Sequence, residues 1–175
     1  MPDQPYIDLS DLEAYKIALR NLFLAKNELF FPNDSEEHAA VIFEVFLEMA
    51  KEKVQFVCNN LKASVFQRPK MTAALQEAFK RGITINVVTQ VEPEHSDFLV
   101  LLQKYQEKGL ATISSLENYT LDYNFATMDD VAFRLEPDNK LQKAVGSMYC
   151  PEIVKKLSGL FESILGQKNI HSIQA

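Results

Sequence analysis

From Asp11 to Asn27 apolar residues recur at three- and four-residue steps, which puts Leu12, Tyr15, Leu19, Leu22 and Phe23 on one face of a helix capped by Ser10 or Asp11. The following ELFFPND is too short for a helix and is stopped by Pro32, Asn33 and Asp34, so it predicts a brief extended stretch entering a turn. Ser35 then precedes a second helix, whose Val41, Ile42, Val45, Phe46 and Met49 share one face. Beyond Lys53 the period changes. VQFVC (54–58) reads as a buried strand, MTAALQEAFKRG (71–82) as a helix ending at Gly82, and ITINVVTQ (83–90) as a second strand. That strand–helix–strand order predicts parallel, right-handed pairing. The unit continues with a helix from Ser96 to Lys108 and a third strand, LATISS (110–115). Three short strands follow, at Asn124–Met128, Val131–Leu135 and Lys143–Ser147, and their tight turns favour antiparallel pairing. Pro151 opens a last helix with an apolar stripe running to Gly166, and QKNIHSIQA predicts a frayed tail. The fold class expected is α/β: a mixed β-sheet flanked by helices on both faces, in a single domain over 1–175 with its core at about 11–166 and a flexible tail at 167–175.

Composition narrows the function classes. The chain has 175 residues, 47% hydrophobic and 24% charged, enough for one sizeable core. Eighteen Lys+Arg against 24 Asp+Glu give a net charge of -6, which argues against a protein built around a large phosphate-binding basic face. Cys58 and Cys150, without CxxC spacing, support neither a disulfide framework nor a zinc knuckle, and the expectation is a soluble cytoplasmic protein without cofactor or membrane association.

The run from VQFVCNNLKASVF through KRGITINVVTQ and KGLATISS to NFATMDDVAFRLEPDNKLQKAVGSMYCPEIVKKL resembles the phospholipase D-like domain, also called the HKD domain. The likeness in layout covers residues 11 to 166, and its specific part lies at about 122 to 149. In active members a histidine, a lysine two residues later and an aspartate five after that are followed by a Gly-Ser-x-Asn-like motif. The resemblance places Asp122 at the histidine, Asn124 at the lysine, Asp129 at the aspartate, and Gly146-Ser147-Met148-Tyr149 at the second motif. Asp129, Gly146 and Ser147 match. The histidine is the nucleophile in that chemistry and the lysine stabilises charge on the phosphoryl oxygens, so the resemblance implies a phospholipase D-like fold whose catalysis has been lost. His38, His95 and His171 are not followed at two residues by lysine, so shifting the alignment does not restore the motif.

Other constellations carry weaker chemistry. Asp122, Asp129, Asp130, Glu136 and Asp138 offer oxygen ligands for Mg²⁺, and Asp138-Asn139-Lys140 is similar to a nuclease Asp-x-Lys element, although these are also ordinary turn residues. Glu92, Glu94, His95 and Asp97 gather before a helix whose cap is Ser96. Lys62, Arg68, Lys70, Lys80 and Arg81 form the most basic neighbourhood, read first as a solvated face. Tyr119, Tyr123 and Tyr149 fall near the motif, while Cys58 and Cys150 read as structural.

The expected function is a non-catalytic phospholipase D-like binding or assembly module. Asn124, Ser147, Tyr149 and Asn59 are its candidate ligand-binding residues, and no metal site is assigned. The resemblance implies pairing as a homodimer or with another protein subunit. Nucleic acid stays open as a partner. Two alternatives stand beside this reading: a metal-dependent phosphodiesterase or nuclease using Asp129 and nearby carboxylates, and an anion or nucleotide sensor using the remnant phosphate pocket.

Overall fold

The computed structural model describes residues 10–117, 119–141, 143–167 and 170–174. Helix α1 (Leu12–Leu24) starts where Asp11 accepts hydrogen bonds from the Glu13 and Ala14 amides. Strand β1 (Phe30–Asn33) follows, and Ser35 caps α2 (Glu36–Met49) by accepting from the His38 amide. A parallel unit is built by β2 (Lys53–Cys58), α4 (Pro69–Lys80), β3 (Thr84–Thr89), α5 (Asp97–Gln106) and β4 (Ala111–Leu116), with the one-turn helix α3 (Ala63–Phe66) inserted after β2. The antiparallel strands β5 (Asn124–Met128), β6 (Ala132–Asp138) and β7 (Lys143–Ser147) lead into α6 (Pro151–Leu165) and a final strand, β8 (Ile170–Ser172).

Among the described residues one mixed sheet has the order β1-β7-β6-β5-β2-β3-β4-β8. The β2–β3–β4 ladders are parallel, and β1–β7, β7–β6, β6–β5, β5–β2 and β4–β8 are antiparallel. Because successive strand residues point to opposite faces, Phe56, Ala126, Met128 and Ala132 join the core under α1, α2, α4 and α5. Val57, Val88, Phe125 and Phe133 pack against Val154, Leu157, Phe161 and Ile164 of α6 on the other face.

Two expectations are corrected. The segment after Gly166, expected to fray, contains β8, because Ile170–Ser172 completes the open edge of β4 and Ile173 N–H donates to Ile113 O at 2.9 Å. Residues 168, 169 and 175 of that tail lie outside the described residues. The strand expected at Val131–Leu135 runs on to Asp138, since Glu136 pairs with Asn124 and Asp138 with Lys143 across an irregularity.

Candidate functional site

The parallel strands β2 and β3 end at Cys58 and Thr89, and the antiparallel register sets the start of β5 and the end of β6 at that same end of the sheet. A cavity of ≈ 360 Å³ opens there, between the strand ends, the N-terminus of α2 and α3. Its polar lining includes Asn59, Lys62, Asn124, Arg134, Glu136 and Asn139, and Phe43, Phe56 and Phe66 give it an apolar wall. Those rings are mutually fixed, with Phe43 and Phe66 stacked at 5.5 Å and Phe43 edge-on to Phe56 at 5.2 Å.

Asn124 and Glu136 stand opposite each other on β5 and β6, and Asn124 Nδ2 donates to Glu136 Oε2 at 2.8 Å. Gln90 Nε2 donates to Asn124 Oδ1 at 2.8 Å and to Tyr123 O at 3.1 Å, while its Oε1 accepts from the Leu121 amide at 2.6 Å. Both ends of the Asn124 amide are thus fixed from two sides. Asn59 belongs to the loop after β2, in which the buried Leu61 takes φ 55, a left-handed conformation costly for a branched side chain. Lys62 of this loop pairs with Glu36 at the start of α2, closing part of the rim. The bonds from Lys62 and Ser64 hold the Glu36 carboxyl below its ordinary pKa. Cys58 also lines the cavity, and desolvation pushes its thiol up to about 12 despite a backbone bond from Leu61, so it is a poor nucleophile.

The ligand candidates are split by the topology. Asn124 and Asn59 line the cavity, whereas Ser147 ends β7 opposite Phe133, toward the other end of the strands. Ser147 Oγ donates to Tyr149 O at 3.2 Å and accepts from the Tyr149 amide at 3.3 Å, so the two form a turn leading into α6. Gly146 serves close packing: a Cβ there would lie 2.7 Å from Phe31 Cε2 and 3.0 Å from Phe133 O. Tyr123 stacks on Phe125 at 6.3 Å, and the Tyr123 phenol is raised by desolvation and by nearby Tyr119.

Asp129 sits a full strand length from Asn124, about 15 Å at the usual rise per residue. Its carboxylate accepts from the amides of Lys51, Glu52 and Lys53 at 2.9–3.3 Å, tying the β5–β6 turn to the start of β2. Glu136, Asp138 and exposed Asp122 belong to the opposite end, so the topology does not bring the five acids together. Asp138 and Asn139 are occupied in the turn: Asp138 Oδ1 accepts from the Lys140 amide at 2.9 Å and Asn139 Nδ2 donates to Leu121 O at 2.9 Å. Among the described residues no group of three His, Cys, Asp or Glu side chains is placed to hold a metal ion.

The histidines fall elsewhere: Ser35 Oγ and His38 Nδ1 lie 2.9 Å apart at the α2 cap, and His171 Nδ1 lies 3.0 Å from Glu117 Oε1 at β8. His95 precedes Ser96, which caps α5 by accepting from the Leu99 amide at 3.1 Å. The basic neighbourhood does not form a free phosphate groove. Lys62 pairs with Glu36, Arg68 with Glu37, Lys70 with Glu13 and Lys80 with Glu77, and Arg81 Nη2 donates to Leu47 O at 2.6 Å.

Sequence reasoning missed Arg134. It is only 7% exposed, lines the cavity and donates through Nε to Asn33 Oδ1. The readable signal was an arginine in the inward alternation Ala132, Arg134, Glu136, which resembles the polar face of a solvated strand until β6 is known to lie inside the sheet.

This sheet order, with its helices and a cavity at the strand ends, is the phospholipase D-like fold. Nuc from Salmonella typhimurium, a phospholipase D family member, superposes with a TM-score of 0.61 at 13% identity, over 85% of this chain and 100% of that one. NucT from Helicobacter pylori gives 0.60 at 14% identity, over 84% and 99%. TrmBL2, an archaeal chromatin protein with a novel mode of DNA binding, gives 0.58 at 14% identity, over 89% of this chain and 62% of that one. No family model matches the sequence, and no curated protein matches it. Among the described residues no helix is long and apolar enough to cross a membrane.

Proposed function

We propose that this chain is a non-catalytic phospholipase D-like module that binds a ligand in the strand-end cavity and assembles with itself or with a protein partner. The observation that carries the reading is the state of Asn124: at the position the resemblance assigns to the lysine stands a neutral amide, held between Gln90 and Glu136. It cannot supply positive charge to a phosphoryl oxygen. No histidine is among the cavity residues, which removes the nucleophile from the place where the chemistry needs it. A nucleic-acid partner receives less support, because the basic side chains that would track a phosphate backbone are spent on neighbouring carboxylates.

The test combines labelled single- and double-stranded DNA and RNA with bis(4-nitrophenyl) phosphate, each in Mg²⁺, in Mn²⁺ and in EDTA. No hydrolysis is expected in any condition. Cleavage that survives EDTA overturns the non-catalytic reading, and metal-dependent cleavage lost in Asp129→Asn restores the carboxylate alternative. Light scattering on the same preparation is expected to give the mass of a dimer. A monomer that captures no subunit removes the assembly half of the reading.

A further inference from the structure

Among the described residues the cavity holds a buried guanidinium with no carboxylate at ion-pair distance, Glu136 acting on it only through space. One row across the sheet runs Phe31, Gly146, Arg134, Ala126, Phe56, so the arginine rises between two very small residues. Asn33 is fully buried, and its Oδ1 takes the Arg134 Nε proton. That side-on bond orients the guanidinium while leaving both Nη groups. The guanidinium carbon lies over the Phe43 ring, 5.5 Å from its centroid. Among the described residues the Arg134 side chain makes no ion pair and no hydrogen bond besides the one to Asn33. Burial lowers its pKa and Glu136 raises it, but an arginine keeps its proton at neutral pH. A buried guanidinium is normally matched by a bidentate oxyanion, and among the described residues no carboxylate forks onto Arg134.

The rest of the lining restricts what such a partner can be. Glu36 is neutralised by Lys62, and Glu136 is fixed by Asn124. Asp34 and Glu136 nevertheless add negative charge to the same cavity, which repels a polyanion and favours hydroxyl or ammonium donors. A volume of ≈ 360 Å³ lies at the lower end for small-molecule sites. We infer that the cavity takes a small molecule with one oxyanion group, a carboxylate or a phosphate monoester, seated on the Nη face of Arg134, with its hydroxyl or ammonium donors turned to Glu136 and Asp34. This deepens the binding reading above by naming the ligand class.

The test is titration of the full chain with lactate, alanine, inorganic phosphate and glycerol 3-phosphate, with potassium chloride at matched ionic strength as control. Thermal unfolding and the ¹⁵Nε resonance of Arg134 are followed together. At least one probe is expected to raise Tm saturably and to shift the Arg134 resonance, where chloride does neither. A response confined to the carboxylates or to the phosphates identifies which oxyanion the site takes. Arg134→Met is expected to abolish the response, and Arg134→Lys to weaken it at least tenfold, because an ammonium lacks the planar fork. Should Arg134→Met fail to fold, the wild-type resonance decides alone. The inference is overturned if no probe saturates, if the resonance stays still while Tm rises, or if folded Arg134→Met responds like the wild type. Phosphodiester cleavage would instead remove the non-catalytic reading and leave the anion seat in place, so the two failures are distinguishable.

Discussion

Asp129 matches the catalytic motif in sequence, yet the structure uses it as a clamp, and replacing it separates three energetic contributions. Its carboxylate takes the amides of Lys51, Glu52 and Lys53 at 2.9–3.3 Å, and its own backbone has φ 49. Hydrogen bonds to charged groups contribute about 1.5–3 kcal/mol each when water is excluded. Lys51 and Glu52 are exposed, so water replaces their bonds and chiefly the half-buried Lys53 amide suffers. Losing the side chain therefore costs about 2 kcal/mol. Placing alanine in the left-handed region adds about 1 kcal/mol. Asp129→Ala is expected to lose about 3 kcal/mol, Asp129→Gly about 2 because the backbone cost disappears, and Asp129→Asn about 1 because an acceptor oxygen and left-handed tolerance both survive. The assay is guanidinium chloride unfolding followed by far-UV circular dichroism, with unchanged m as the check on two-state behaviour. If Asp129→Ala unfolds within about 0.5 kcal/mol of the wild type, the usual range of neutral surface changes, the clamp is refuted. A glycine variant less stable than the alanine variant would refute the backbone contribution.

Two further outcomes follow from packing and charge. Gly146→Ala drives a Cβ to within 2.7 Å of the Phe31 ring, so a loss of about 1–3 kcal/mol is expected in chemical denaturation, partly recovered in Gly146→Ala/Phe31→Leu. Lys16 is almost buried beside Glu44 and Glu48, at 2.9 and 2.7 Å, and although burial lowers its pKa the bonds to Glu48 and Glu44 raise it on balance. Because the folded-state pKa lies above the unfolded value of about 10.4, the stabilisation is complete below that pH and is lost as pH rises through the folded value. The denaturation midpoint of the wild type should therefore fall above about pH 10 more steeply than that of Lys16→Met, and parallel curves would remove Lys16 as the cause.

Most elements were legible because their patterns are local. The caps at Asp11, Ser35 and Ser96 bond within their own first turns, and Pro151 takes the first helical position, where no N–H is needed. Strand β8 was not legible, since IHSIQ has no strong alternation and becomes a strand by meeting the free edge of β4. Helix α3 is a single turn whose Val65 and Phe66 are buried, too short for any period to show. At the site, Asn59 was suggested by the rule that ligands gather beyond the ends of parallel strands and Asn124 by its alignment with the motif lysine, and both line the cavity. Ser147 falls elsewhere for a topological reason: β7 runs opposite to β6, which carries its last residue away from the cavity. Arg134 stayed hidden because a strand's alternation says which residues share a face but not whether water or a helix covers it.

The first strand of the chain waits through more than a hundred residues for its partner. Among the described residues Phe30–Asn33 has only β7 beside it, and Phe30 pairs with Ser147, more than a hundred residues later. At ribosomal speeds that separation means a wait on the order of ten seconds, during which Phe31 is made but not yet buried. Pro32 sits in this segment, where it withholds a backbone donor from any strand of another nascent chain. The sheet can thus assemble from its parallel half outward, while its earliest edge is kept unattractive to strangers until β7 is synthesised.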